Sequence, residues 1–251
     1  MHVADLPEHE ALRGHHQSTD RRRRTQVQPT EGVLTPGHCR PTSCVPADRL
    51  LPSPGVGARV TEMAIEVRPA TEFADLATML GPKRTDANVC WCLSYRLPSK
   101  EHLALRGTDR AKKVAELVQA GPPGVLAYDG NQVVGWAAVH PRADTSFATS
   151  RKIPHIDDQD VWSVWCIRVR PGHRRQGISH SLLAGAVDFA RQSGAPAIEG
   201  YPVDNQGHKV DLTMAYVGTR SLFEKAGFTK DADTTSVLNG FPRVLMRLNL
   251  H

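Results

Sequence analysis

From Ala64 onward the apolar residues follow two spacings, alternate positions and one helical face, and the switches between them mark out elements. Ile65 and Val67 alternate with polar neighbours and predict a short strand ended by Pro69. Phe73, Leu76 and Leu80 share one face of a helix that Thr71 can cap, and Gly81-Pro82 breaks it. The stretch from Asn88 to Arg96 is aromatic and irregular. Ser99, with Glu101 near the first turn, opens a helix that runs with interruptions to Val118 and stops at Gly121-Pro122-Pro123. Val125 to Tyr128 and Val133 to Val139 flank Asp129-Gly130-Asn131-Gln132, a hairpin signal. Val161 to Val169 is a long β-favouring run. A glycine- and arginine-rich turn leads from it into a helix from about Gly177 to Gln192, striped by Ile178, Leu182, Leu183, Ala186, Val187 and Ala190. Ala197 to Tyr201 reads as a strand and Ala215 to Lys225 as a helix ended by Ala226-Gly227. Val244 to Leu248 closes a final strand pair. This order predicts a mixed α/β or α+β sheet with helices packed against it.

Residues 1–62 break the pattern. They contain no Phe, Tyr, Trp, Ile, Asn or Lys, yet carry Arg21-Arg22-Arg23-Arg24 and many prolines. Such a segment cannot bury enough apolar surface to offset its chain entropy and is expected to be disordered. The arginine run could be an anion-binding arm. Five of the missing residue types are those with AT-rich codons, which instead favours read-through of GC-rich upstream sequence. Met63 is then the expected start, and residues 63–251 the folded domain.

Composition narrows the class. With 251 residues, 40% hydrophobic and 23% charged, the chain can build an ordinary core. No run approaches the roughly 18 apolar residues of a membrane span, and no secretory signal is visible. A cytoplasmic protein without a membrane partner is expected. The net charge of +5 is too mild to name an anionic partner. Five irregularly spaced cysteines argue against a disulfide framework. Cys90 and Cys92 flank Trp91 too tightly for a zinc knuckle and read as small buried hydrophobes, so no metal is expected.

The informative segment is Val169-Arg170-Pro171-Gly172-His173-Arg174-Arg175-Gln176-Gly177-Ile178-Ser179. A β run ends, a Gly/Arg turn follows, and an amphipathic helix begins. The first N–H groups of that helix lack intrahelical partners, and the positive end of its dipole lies there. Gly177 allows close backbone approach, and Arg174 and Arg175 add charge. The physics describes a phosphate or pyrophosphate cradle. Neither a P-loop nor a Gly-x-Gly-x-x-Gly dinucleotide fingerprint is present.

The segment resembles the acyl-CoA signature of the GNAT acetyltransferase superfamily, Arg/Gln-x-x-Gly-x-Gly/Ala, with Ser179 in the last position. Leu222-Phe223-Glu224-Lys225-Ala226-Gly227-Phe228 is similar to a second mark, Leu-Tyr-Glu-x-x-Gly-Phe. The resemblance spans roughly Met63 to Leu250. It implies a GNAT-type fold, a mostly antiparallel twisted sheet flanked by helices, and acetyl-CoA as acyl donor. Backbone groups of Ile167, Arg168 and Val169 would splay from the neighbouring strand to hold the acyl carbonyl and pantetheine arm. The amides of Arg174, Arg175, Gln176, Gly177, Ile178, Ser179 and His180 would bind the pyrophosphate. The implied partner is an amine of a small molecule or protein; a homodimer stays open.

Acetylation of an amine calls for a base, oxyanion stabilisation and an acid for the leaving thiolate. Where many relatives carry the acid tyrosine, this chain has Phe223. Tyr216, seven residues earlier and two helical turns along the same face, is the substitute candidate, against packing or cofactor contact. Relatives that use a glutamate before the turn would place it at Ser163. Ribosomal-protein alanine acetyltransferases use one on the next strand, matching Glu199, whose alternative is an edge-strand surface carboxylate. Asp160, acting through water, is a weaker option. Cys166 is read as core. Trp91, Trp136 and Trp162 are read as core or as an acceptor-pocket lining. Acceptor choice is expected in loops near Asn88–Arg96, Ala143–Asp158 and Asn205–Thr213. Two alternatives stand beside the enzyme: a catalytically silent CoA sensor, and a DNA-binding regulator that uses the arginine run.

Overall fold

The computed structural model describes residues 65–84, 87–211 and 216–251. The amino-terminal tail, the start expected at Met63 and the first residue of the helix expected from Ala215 lie outside the described residues. In chain order the elements are β1 (Glu66–Pro69), α1 (Phe73–Leu80), α2 (Ser99–Ala104), α3 (Thr108–Ala120), β2 (Gly124–Asp129) and β3 (Gln132–Pro141). Then follow β4 (Trp162–Val169), α4 (Ile178–Gln192), β5 (Ala197–Gly200), α5 (Arg220–Lys225), β6 (Thr229–Leu238) and β7 (Phe241–Asn249). The strands form one sheet in the order β1-β2-β3-β4-β5-β7-β6. Every neighbouring pair is antiparallel except β4 and β5, which the α4 crossover makes parallel. This is the mixed sheet that the apolar pattern predicts, with the mostly antiparallel pairing that the family resemblance implies.

Alternation along the strands supplies two cores. On one face Val125, Ala127, Val164, Ile167, Ile198 and Met246 meet the α4 stripe, all six of whose residues are buried. On the other face Leu126, Trp136, Trp165, Cys166, Tyr201 and Leu245 pack with Leu76, Leu80, Leu93, Val114 and Phe147. The hairpin turns on Gly130-Asn131, since Asp129 pairs directly with Gln132 and Gly130 takes φ +57°. The expected interrupted helix is two helices, parted where Leu105 leaves helical geometry and Gly107 adopts φ +47°.

One irregularity positions the site. β4 and β5 pair only at Trp162–Val164 with Ile198–Gly200. Beyond Gly200 comes Tyr201-Pro202, and proline has no N–H to continue a ladder. On the other side of β4, Cys166 opposes Ala138 and Val164 opposes Val139, so Trp165 is an extra, bulged residue. The bulge bends β4 where it loses its neighbour, and the two strands part as expected.

Candidate active site

The turn between β4 and α4 keeps its donors free. The N–H groups of Arg174 through Ser179 have no hydrogen-bond partner in the protein among the described residues, whereas His180 donates to the Gly177 carbonyl at 2.8 Å. Arg175 takes φ +66° and Gly177 φ +77°, the left-handed backbone that anion-binding nests use. Gly177 is required for its conformation rather than for space, since a Cβ built there meets nothing within 4 Å. Arg174 and Arg175 are exposed and make no ion pair within 4.0 Å among the described residues. Unpartnered N–H groups, a helix dipole and two free guanidinium groups fit a diphosphate. Among the described residues none hydrogen-bonds to the N–H groups at the helix start.

The cleft opened by β4 holds a different arrangement from the expected one. The Ile167 N–H already donates to the Tyr216 carbonyl, at 2.6 Å. An acyl oxygen can use that donor only after this contact opens. Tyr216 is not on a helix either: it sits in a turn, Gly218 takes φ +82°, and α5 starts only at Arg220. The two-turn spacing to Phe223 therefore places no common face. Tyr216 still reaches the cleft, where its hydroxyl lies 2.9 Å from that of Tyr95. Tyr95 stacks on Phe147, which meets Tyr201 edge-on. Burial, and then the neighbouring Tyr216, push the Tyr95 phenol well above its ordinary value, so it keeps its proton.

Glu199 is not a surface carboxylate. It lies at the sheet centre with no exposure. Its Oε2 accepts from Arg142 Nη1 at 3.0 Å and the Tyr201 hydroxyl at 2.8 Å. Its Oε1 accepts from Arg247 Nε and Nη2 at 3.1 and 2.7 Å. Arg247 also holds Asp157, whose carboxyl the guanidinium keeps below its usual range. With its acceptor sites engaged by two guanidinium groups, Glu199 has no free oxygen for a substrate proton. Burial and the Glu199 charge push the Tyr201 phenol far up. Ser163, opposite Glu199 in register, is buried with its hydroxyl unpartnered. Asp160 is exposed before β4 begins, away from the parting of the strands.

Three further expectations are settled by burial. Cys166 is core, with its Sγ 3.4 Å from that of Cys92. Cys90, read as buried, is exposed and bonds Ser94. Trp91 and Trp136 are core on the aromatic face, while Trp162 packs against Phe189 of α4 on the other. No cluster of metal-ligating side chains occurs among the described residues.

Residues 92–228 match the sequence model of the Acetyltransferase (GNAT) family. The chain belongs to that family. It is an acyltransferase, and its sheet is the GNAT sheet. Solved structures with a similar course include a protein assigned to the GNAT family from Desulfovibrio desulfuricans, 18% identical over 75% of this chain and 100% of that one, TM-score 0.46. Another is yncA of Salmonella typhimurium, solved with acetyl-CoA, 18% identical over 75% and 95% of the two chains, TM-score 0.44. The ribosomal-protein-S18-alanine N-acetyltransferase of Escherichia coli is 13% identical over 74% and 94%, TM-score 0.39. No curated protein matches this sequence.

Around this GNAT cleft stand residues that sequence reasoning did not single out: Tyr95, Arg142, Phe147, Tyr201, Arg243 and Arg247. Tyr95 and Phe147 do fall in two of the loops expected to set acceptor choice. The arginines carried no local signal, since their partners lie 57 and 48 residues away along the chain. Among the described residues no helix is long and apolar enough to cross a membrane.

Proposed function

We propose that this chain moves the acetyl group of acetyl-CoA to an amine that enters the cleft from the aromatic face of the sheet. The observation that carries this reading is the run of unpartnered N–H groups from Arg174 to Ser179, which directly follows a strand that has left its neighbour. Bound acetyl-CoA supplies an activated acyl carbonyl on a good leaving group. The amides of Arg174, Arg175, Gln176, Gly177, Ile178 and Ser179 hold the diphosphate, while His180, whose N–H stays on the Gly177 carbonyl, adds no amide donor. The main chain of Ile167, Arg168 and Val169 orients the pantetheine arm, with the Ile167 N–H released from Tyr216 to face the acyl oxygen.

Tyr216 is the proton donor in this reading. If the buried Tyr95 hydroxyl donates to the Tyr216 oxygen, the Tyr216 proton is free for the departing thiolate. Glu199 acts as a clamp that fixes Arg142, Arg247 and the end of the paired β4–β5 segment. This replaces the base expected of it, because its charge is spent on two guanidinium groups. The acceptor then reacts as the free amine present at the working pH, and the proton its nitrogen sheds on forming the amide returns to the Tyr216 phenolate. The test is thiol release from acetyl-CoA over a panel of amines. Turnover with at least one amine is expected. Saturable CoA binding without turnover favours a silent sensor, a reading supported by the fully buried Phe223.

A further inference from the structure

Among the described residues four arginines are buried: Arg110, Arg142, Arg243 and Arg247. Three of them hold either a carboxylate or several backbone carbonyls, although Arg142 Nε is itself buried without a partner. Arg142 and Arg247 pair with Glu199, and Arg247 also with Asp157. Arg110 donates to the carbonyls of Leu105, Val89 and His102. Arg243 is the exception. It is 6% exposed, and its Nε donates to the Tyr201 carbonyl at 2.7 Å. Its Nη2 is buried without a partner, and it makes no carboxylate ion pair. Its guanidinium lies 5.9 Å from the Phe147 ring centroid and 6.0 Å from that of Tyr201. Ring faces at that range return only part of what it costs to strip water from an unpaired cation.

The position of Arg243 suggests what it lacks. It bridges Val203, just past the point where β5 has left β4. Its charge is felt at the Tyr95 phenol, which in turn touches Tyr216, whose carbonyl takes the Ile167 N–H of β4. A planar, permanently charged fork with free N–H groups matches a carboxylate. We propose that Arg243 anchors an anionic group of the acceptor, so that the amine acetylated by this protein belongs to an amino carboxylate, a free amino acid or a close analogue. This rests on the acetyltransferase reading and narrows its acceptor class. The carboxylate sits on Arg243 against Phe147 and Tyr201, and the amine reaches the Tyr95–Tyr216 pair beside the Ile167 backbone.

The experiment compares each of a set of L-amino acids with its own α-amide, which has the same side chain and amine but no carboxylate charge. Initial rates of thiol release from acetyl-CoA are measured with the full chain. At least one amino acid is expected to exceed its amide in kcat/KM by about tenfold or more, mainly through KM. In Arg243→Met the ratio should fall to near one, and Arg243→Lys should keep part of it. Amides used as well as acids, or a ratio that survives Arg243→Met, would overturn the proposal. Calorimetry of the same acid–amide pairs on the CoA-loaded wild-type protein covers two cases, a variant that does not fold and the absence of turnover with every amine. Tighter binding of the acids upholds the anion site even if the acetyltransferase reading fails. Equal binding, or none, ends it.

Discussion

A buried carboxylate held by two arginines has different consequences from a catalytic base, and Glu199 allows the two to be told apart. Glu199→Gln leaves Arg142 without a carboxylate and Arg247 with only its outer partners Asp157 and Asp231, in a fully buried position. Thermal or denaturant unfolding should show a loss of about 3 kcal/mol or more. A base would instead lose turnover at unchanged stability. Tyr216→Phe should lower kcat by about tenfold to a hundredfold with acetyl-CoA affinity unchanged, the modest end of the range for an acid because thiolate leaves readily. Equal kcat in that variant would remove Tyr216 from the reaction. Neither pairing was visible along the chain: Tyr95 and Tyr216 are 121 residues apart, and no periodicity reports that they touch.

The β4-turn-α4 element was legible because its logic is local. A β run, a turn rich in glycine and arginine, and a helical stripe follow within a short span, and each follows from residue type and spacing. α5 was read too long, since the apolar spacing continues back through Tyr216 while Gly218 at φ +82° ends helical geometry. β6 was not placed on its own because most of its residues are exposed and its inward positions include Ala232, Thr234 and Ser236, which carry no strong apolar signal. At this scale Gly177→Trp should cost about 1 kcal/mol of backbone strain, with no clash at its Cβ, yet abolish measurable CoA binding by calorimetry. Gly200→Ala should act oppositely. A Cβ there falls 2.0 Å from buried Phe223, so about 1–3 kcal/mol of stability should be lost at the seam where β4 and β5 part.

For the whole molecule, the sequence predicted a mixed sheet with helices packed against it, whereas the strand order and the division into two cores rest on long-range pairings that no local spacing reports. His140 adds a pH dependence. Burial, and then the Arg96 guanidinium, hold its pKa at about 4, against 6.5 for the ordinary side chain. Folded His140 stays neutral while the unfolded chain takes up a proton below about 6.5. The folded state should therefore lose stability as pH falls from about 6.5 towards 4, and His140→Asn should flatten that slope in urea titrations. We also propose that a chain begun at Met63 keeps the activity and melting temperature of the full chain, since the described members of both cores follow it.

The central claim is that the N–H groups opening α4 receive the diphosphate of acetyl-CoA beside the parted end of β4. Amide proton–nitrogen NMR of the isotope-labelled protein, titrated with acetyl-CoA, addresses those groups directly. The largest shifts are expected at Arg174 through Ser179, followed by Ile167 to Val169 as the Tyr216 contact opens. Saturable binding that leaves Arg174 through Ser179 unmoved would contradict the account.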